Sequence, residues 1–157
     1  MALEIERKYR VVGEDWRPLV SAKKRICQAY LADTEQISLR VRIKDETTAT
    51  LTIKTAAPGH TRQEFEYSVP LDDAEELLLV RTGAIVVKTR HIVPAAGDLV
   101  WEIDVFEGEN AGLVLAEIEL EHADQTFEHP AWLGEEVTFD RRFYNSELAR
   151  LPFSRWR

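Results

Sequence analysis

The sequence predicts one mainly β domain of the α+β class, built on an antiparallel sheet whose strands carry their charges on one face. Three observations predict it. Apolar and charged residues alternate with a period of two in segment after segment, the spacing that sends neighbouring side chains to opposite faces of a strand. Turn-forming residues punctuate those segments, and only one stretch has a clear helical pattern with both ends marked. The 157 residues, 45% hydrophobic and 31% charged, suit a single domain with its own core. Residues 1–157 are read as one unit, because no repeat, low-complexity run or linker divides them.

Glu4-Ile5-Glu6-Arg7-Lys8-Tyr9-Arg10 falls in a first strand over residues 3–11, with Glu4, Glu6 and Lys8 on one face and Ile5 and Tyr9 on the other. Residues 13–20, which contain Pro18, suit a short helix or a turn. Residues 25–31 suit a second strand with Gln28 and Tyr30 sharing a face, followed by a hairpin connection at Asp33-Thr34-Glu35. Alternation is unbroken in Ser38-Leu39-Arg40-Val41-Arg42-Ile43-Lys44 and resumes in Thr50-Leu51-Thr52-Ile53-Lys54 after a turn at 45–47. Pro58-Gly59 marks a loop, and residues 62–69 form the next strand.

The helix follows Pro70. Asp72 with Glu75 reads as an Asp-type capping box, Leu77, Leu78 and Val80 give the apolar face, and Gly83 stands where a C-terminal cap is expected. Residues 85–93, 100–106 and 114–121 return to strand, and the tail holds a loop around Pro130-Ala131-Trp132 and a short helix over 145–150 stopped by Pro152.

Collected on the polar faces are the acids Glu4, Glu6, Glu64, Glu66, Glu102, Asp104, Glu117 and Glu119 and the bases Lys8, Arg40, Arg42, Lys54, Arg62, Lys88 and Arg90. Two arrangements account for them. One is a sheet with a core face and a wet face, which predicts mixed signs within each strand. The other is a sheet closed on itself, so that an acidic wall able to hold divalent cations faces a basic wall able to hold linked phosphates. The segregation of Arg40 with Arg42 and of Glu117 with Glu119 speaks for closure, because like charges two apart repel unless opposite charge lies across from them.

Composition excludes other chemistries. A net charge of −8 argues against general nucleic-acid binding, which runs on unpaired basic surface. The single Cys27 and four scattered histidines make no disulfide and no soft-metal site, so a bound metal must sit on carboxylate oxygens. The N-terminus lacks an apolar signal region and no run is long enough to span a bilayer, so the expected setting is the cytoplasm, away from membranes. Nothing in the pattern specifies an oligomeric state.

With these residues in view the chain resembles the CYTH superfamily, the triphosphate tunnel metalloenzymes. The family's Glu-x-Glu-x-Lys stands as Glu4-Ile5-Glu6-Arg7-Lys8. Arg40-Val41-Arg42, Thr52-Ile53-Lys54, Glu64-Phe65-Glu66, Lys88-Thr89-Arg90, Trp101-Glu102-Ile103-Asp104 and Ala116-Glu117-Ile118-Glu119 follow in the family's order. Residues 132–138 and 142–149 resemble the short bacterial branch. The resemblance spans essentially the whole chain.

It implies a closed eight-stranded antiparallel barrel forming a tunnel, with a few short helices packed outside, charged residues in the lumen and apolar residues, with Leu77, Leu78, Leu148 and Trp132 among the covering layer. It implies a divalent-metal-dependent triphosphatase, with inorganic tripolyphosphate as the simplest substrate and water as the nucleophile. Lys8, Arg40, Arg42, Lys54, Arg62, Lys88 and Arg90 would bind phosphate. Glu4, Glu6, Asp104, Glu117 and Glu119 would hold Mg²⁺ or Mn²⁺. Catalysis would rest on Glu4, Glu6, Lys8, Asp104 and Glu119, with Glu102 or Glu66 helping Asp104 at a second metal and Tyr30 a further candidate contact. Thiamine triphosphatase, class IV adenylate cyclase and a polyphosphate- or nucleotide-binding module without turnover are the alternatives. The first of these would want an aromatic cradle, for which Trp16 and Trp132 are the candidates.

Overall fold

The structure, a computed structural model, describes residues 2–55 and 61–156, and for residues 2–4 and 61 the backbone alone. The loop expected at Pro58-Gly59 lies outside the described residues. Nine strands form: β1 (Ala2–Val11), β2 (Ala22–Asp33), β3 (Ile37–Lys44), β4 (Thr48–Thr55), β5 (Thr61–Val69), β6 (Thr82–Pro94), β7 (Val100–Phe106), β8 (Val114–Glu119) and β9 (Leu133–Glu136). Two helices join them, α1 (Leu71–Leu78) and α2 (Asn145–Arg150).

All pairings are antiparallel, in the order β5-β4-β3-β2-β6-β7-β8-β1, and β1 returns to pair with β5. Strand β1 closes this ring by dividing its bonds: residues 2–5 pair with 61–64 of β5, and residues 6–10 pair with 115–119 of β8. Eight strands therefore make the barrel, as the resemblance implies. The ninth, β9, rides on Tyr9 and Val11 of β1. Its sequence, Leu133-Gly134-Glu135-Glu136, is short and lacks apolar alternation, so no strand is expected there. Gly134 is what lets β9 come close, since a Cβ at that position would stand 2.9 Å from the Arg10 carbonyl oxygen. Arg7 locks the strand with a forked ion pair to Glu136, at 2.8 and 2.6 Å.

Three apolar clusters surround a polar lumen. The outward residues of β1, β7 and β8, among them Ile5, Tyr9, Trp101 and Ile118, are covered by Trp16 and Trp132 from the connecting loops. On the opposite side α1 covers Ala29, Val41, Ile43 and Ala49 with Ala74, Leu77 and Leu78. The third cluster lies in one end of the barrel. Val86, Phe106 and Leu115 have the same strand parity as Lys88, Asp104 and Glu117, so they face inward, and there they meet Phe143, Leu148 and Ala149. Leu148 thus belongs to a plug of the barrel end rather than to the outer layer, a change from the expected placement. The tail reaches that end because the chain from 137 to 150 folds through a 3-10 turn at Arg141–Phe143 into α2.

Two local expectations are corrected. Helix α1 begins one residue earlier than its supposed cap, with Pro70 at the N-cap and no side-chain capping bond, so Asp72 and Asp73 act on the first turn through the helix dipole. Gly83 does not cap α1, which ends at Leu78; it lies in β6 at φ +71°. A Cβ there would stand 2.7 Å from the Ala149 carbonyl oxygen, where β6 passes the end of α2. Gly83→Ala is therefore expected to cost about 2–4 kcal/mol, from left-handed backbone strain plus overpacking against the plug. Urea unfolding of the two proteins measures it.

Candidate functional site

The closed barrel encloses a cavity of about 200 Å³. Ten of the twelve residues expected to bind phosphate or metal line it: Glu6 and Lys8 from β1, Arg40 and Arg42 from β3, Lys54 from β4, Arg62 from β5, Lys88 and Arg90 from β6, and Glu117 and Glu119 from β8. They meet because each occupies an inward position of its strand and because the register brings these positions level across neighbouring strands. Glu6 is opposite Glu119, Lys8 opposite Glu117 and Glu102 opposite Glu117 on the acidic side. On the basic side Arg40 and Arg42 are opposite only Thr52 and Thr50 of β4, and Tyr30 and Gln28 of β2. Glu4 pairs through its backbone with Arg62, and its side chain lies outside the described residues.

Two arginines of the basic wall are buried and hydrogen-bonded to neutral acceptors. Arg40 and Arg42 are 6% and 7% exposed. Arg40 donates from Nη2 to Thr52 Oγ1 at 3.2 Å, and its buried Nε has no acceptor. Arg42 donates from Nε to Gln28 Oε1 at 2.7 Å. Both acceptors are neutral. Burial lowers the Arg42 pKa to about 9, and the charges of Arg40 and Arg90 add to that effect. A buried N–H with no partner costs about 1–3 kcal/mol, so this wall is built for an anionic acceptor.

Asp104 is placed differently from a metal ligand that opens onto the cavity. It is 1% exposed and, although it faces inward, does not line this cavity. Arg90 grips both of its oxygens, Nε to Oδ1 at 2.8 Å and Nη2 to Oδ2 at 2.9 Å, while Lys88 Nζ stands 2.7 Å from Oδ2. Burial alone would raise the Asp104 pKa, but Arg90 and Lys88 outweigh it and hold the carboxyl at about 2. The same burial pushes Lys88 down to about 7 against the pull of Asp104. Glu66, a candidate helper to Asp104, is exposed and accepts a long bond from Thr52 Oγ1, at 3.5 Å. Glu102 does line the cavity, 3.4 Å from Arg90 Nη1.

The acidic wall supplies only oxygen donors. Carboxylates directly opposite each other, as Glu6 and Glu119 are, repel unless a cation lies between them. Burial would raise Glu117, yet Lys8, Arg90 and Lys88 hold it well below the usual carboxylate range, so it remains an anion in a dry setting. Among the described residues no three acids, histidines or cysteines already converge on one point. Hard, all-oxygen chemistry nonetheless fits a divalent cation that keeps part of its water shell.

Residues that charge patterning did not single out complete the cavity. Tyr144, Asn145 and Ser146 line its plugged end. Lys8 Nζ donates to the Phe143 carbonyl at 3.0 Å, Lys88 Nζ to Asn145 Oδ1 at 2.9 Å, and the Arg62 guanidinium stands 5.0 Å from the Tyr144 ring. Tyr30 also lines the cavity, whereas Trp16 and Trp132, at 1% and 5% exposure, are packed in the outer core and give it no aromatic cradle. Among the described residues no helix is long and apolar enough to cross a membrane.

Known proteins share this architecture. The chain is 36% identical over 158 residues to an inorganic triphosphatase of Acetivibrio thermocellus, covering all of this chain and 99% of that one. It is 38% identical to an inorganic triphosphatase of Nitrosomonas europaea over 93% of this chain and 96% of the other. A crystal structure of an inorganic triphosphatase superposes with a TM-score of 0.66 at 34% identity, covering 93% of this chain and 97% of its own. A Pyrococcus furiosus protein, 18% identical with a TM-score of 0.62 over 77% of this chain and 80% of its own, shares the fold. The family model for the CYTH domain matches residues 2–150, the span that holds both charged walls and the plug, and the chain belongs to that family.

Proposed function

We propose that the cavity binds inorganic tripolyphosphate with Mg²⁺ or Mn²⁺ and hydrolyses it to phosphate and diphosphate, in a cytoplasmic setting. The observation that carries this reading is the Arg40–Arg42 pair: two buried guanidinium groups, side by side, held by neutral partners, with one N–H lacking any acceptor. Such a pair calls for a multiply charged anion with tetrahedral oxygens, which guanidinium forks match bidentately. The names of the two full-length relatives support the same substrate.

Phosphoryl transfer asks the protein mainly for positioning and charge. Arg40, Arg42, Lys54 and Arg62 would grip the phosphate chain from one side, with Lys8, Lys88 and Arg90 at its flank. Glu6 and Glu119, with Glu4 and Glu117, would hold the divalent cation. When bound, it supplies Lewis-acid stabilisation of phosphate oxygens. Water forms the new bond to a terminal phosphorus and gives up a proton to solvent, the bridging P–O bond breaks, and diphosphate leaves. Asp104 would serve from behind as counter-charge to Arg90 and Lys88.

Phosphate release from tripolyphosphate, ATP, thiamine triphosphate and pyrophosphate, with and without Mg²⁺ or Mn²⁺, tests this directly. The expected result is metal-dependent turnover with tripolyphosphate preferred. Preference for thiamine triphosphate or cyclic nucleotide formation from ATP would replace the substrate assignment. Binding of all four without turnover would make the protein a binding module.

A further inference from the structure

We infer that Asn145, acting through Gln28, is a positioning residue that seats two cations of the phosphate clamp without neutralising them; the inference rests on the clamp reading above. Asn145 Oδ1 accepts from Lys88 Nζ at 2.9 Å and from Gln28 Nε2 at 3.0 Å, and Gln28 Oε1 accepts from Arg42 Nε at 2.7 Å. Gln28 and Lys88 are both fully buried. The orientation of each amide is fixed by chemistry. Lys Nζ and Arg Nε only donate, so each must meet an amide oxygen, and the Gln28 NH₂ is left to donate to Asn145. One chain of hydrogen bonds thus runs from β6 through the first residue of α2 and β2 to β3.

What the relay does follows from its acceptors being neutral. Arg90, by contrast, gives two of its bonds to the carboxylate of Asp104, which cancels its charge locally. An amide oxygen fixes a cation's direction and adds no negative charge of its own, which leaves the charge of Arg42 for a ligand, while Lys88 is shared with the carboxylate of Asp104. Among the described residues Arg42 donates to no carboxylate, and Lys88 lies between Asp104 and Asn145, so the amide relay sets the direction of Arg42 and, together with Asp104, that of Lys88. Asn145 is well placed to do this because α2 is pinned into the barrel end by Phe143, Leu148 and Ala149.

Two near-isosteric changes, Asn145→Asp and Gln28→Glu, separate seating from mere packing. Each keeps size and the acceptor that faces its cation and adds a carboxylate there, and Gln28→Glu also gives up the donor to Asn145 Oδ1, so Asn145→Asp is the cleaner of the two. Expected results are folded proteins whose thermal midpoint is unchanged or raised, with KM for tripolyphosphate about 10- to 100-fold higher and kcat less affected. The double variant Asn145→Leu/Gln28→Leu is expected to lose no more than the worse of Asn145→Leu and Gln28→Leu made singly, because the two act as one unit. Calorimetric binding of tripolyphosphate without added metal provides the second readout. Wild-type protein that fails to bind would sink the clamp and this inference with it. Wild type that binds, with Asn145→Asp and Gln28→Glu binding equally well, would sink this inference alone, as would a lowered thermal midpoint with KM unmoved.

Discussion

Replacing Arg42 with alanine is expected to lower kcat/KM for tripolyphosphate by about 10² to 10⁴, while leaving the protein as stable as before or more so. The activity figure comes from two charge-assisted bonds between a guanidinium fork and phosphate, each worth about 1.5–3 kcal/mol, at about 1.36 kcal/mol per tenfold in rate. The stability expectation has the opposite sign for a physical reason. Burial depresses the Arg42 pKa to about 9, with Arg40 and Arg90 pushing the same way, so keeping it charged at neutral pH costs the folded state. Removing it relieves that cost and frees only one strong bond, to Gln28. Arg42→Lys is expected to fall between, since it keeps the charge and loses the fork. Steady-state kinetics beside thermal melts of the three proteins check both halves. Full turnover in Arg42→Ala would refute the assignment of the clamp; a large loss of stability would refute the account of its cost.

The barrel was legible because its lumen is charged. In an ordinary sheet the polar face is a mixture, but here Arg40-Val41-Arg42 and Glu117-Ile118-Glu119 announce both the strand period and the inward face. Ten of the expected site residues reach the cavity for that reason. What stayed hidden carries no charge or depends on register. Gln28 and Asn145 are neutral, 117 residues apart, and are joined only by the fold. The plug uses Phe143 and Leu148, which read as any amphipathic tail would. Strand β9 is four residues long and largely polar, and its place is set by close backbone contact at Gly134 rather than by apolar pattern. Asp104 has the right parity for the lumen, yet its role turns on standing opposite Arg90 across β6 and β7, a pairing that strand parity alone does not specify.

That pairing gives Asp104→Ala the largest expected effect on stability. Arg90 would keep only the longer contact to Glu102, at 3.4 Å, and Lys88 would lose its ion pair, both buried next to Arg42, at a cost of about 3–5 kcal/mol. For a chain of this size the melting temperature should fall by about 6–20 °C. The pH dependence carries the same signature. Asp104 titrates at about 2 in the fold, below its ordinary value of 3.8, so its contribution is present above 3.8 and is lost as pH falls through 2. The variant should lack that acid component. Lys88 has the same sign over a higher window: its folded pKa of about 7 lies below 10.5, so the folded state binds fewer protons between those values, and the cost of keeping it charged below 7 is relieved as pH rises toward 10.5. Melts in metal-free buffer distinguish a counter-ion from a metal ligand. A counter-ion loses its stabilisation with no metal present, whereas a ligand leaves the metal-free melt unchanged and raises only the metal concentration needed for turnover. With Asp104 fully buried and three bonds deep in two cations, the first outcome is the expected one.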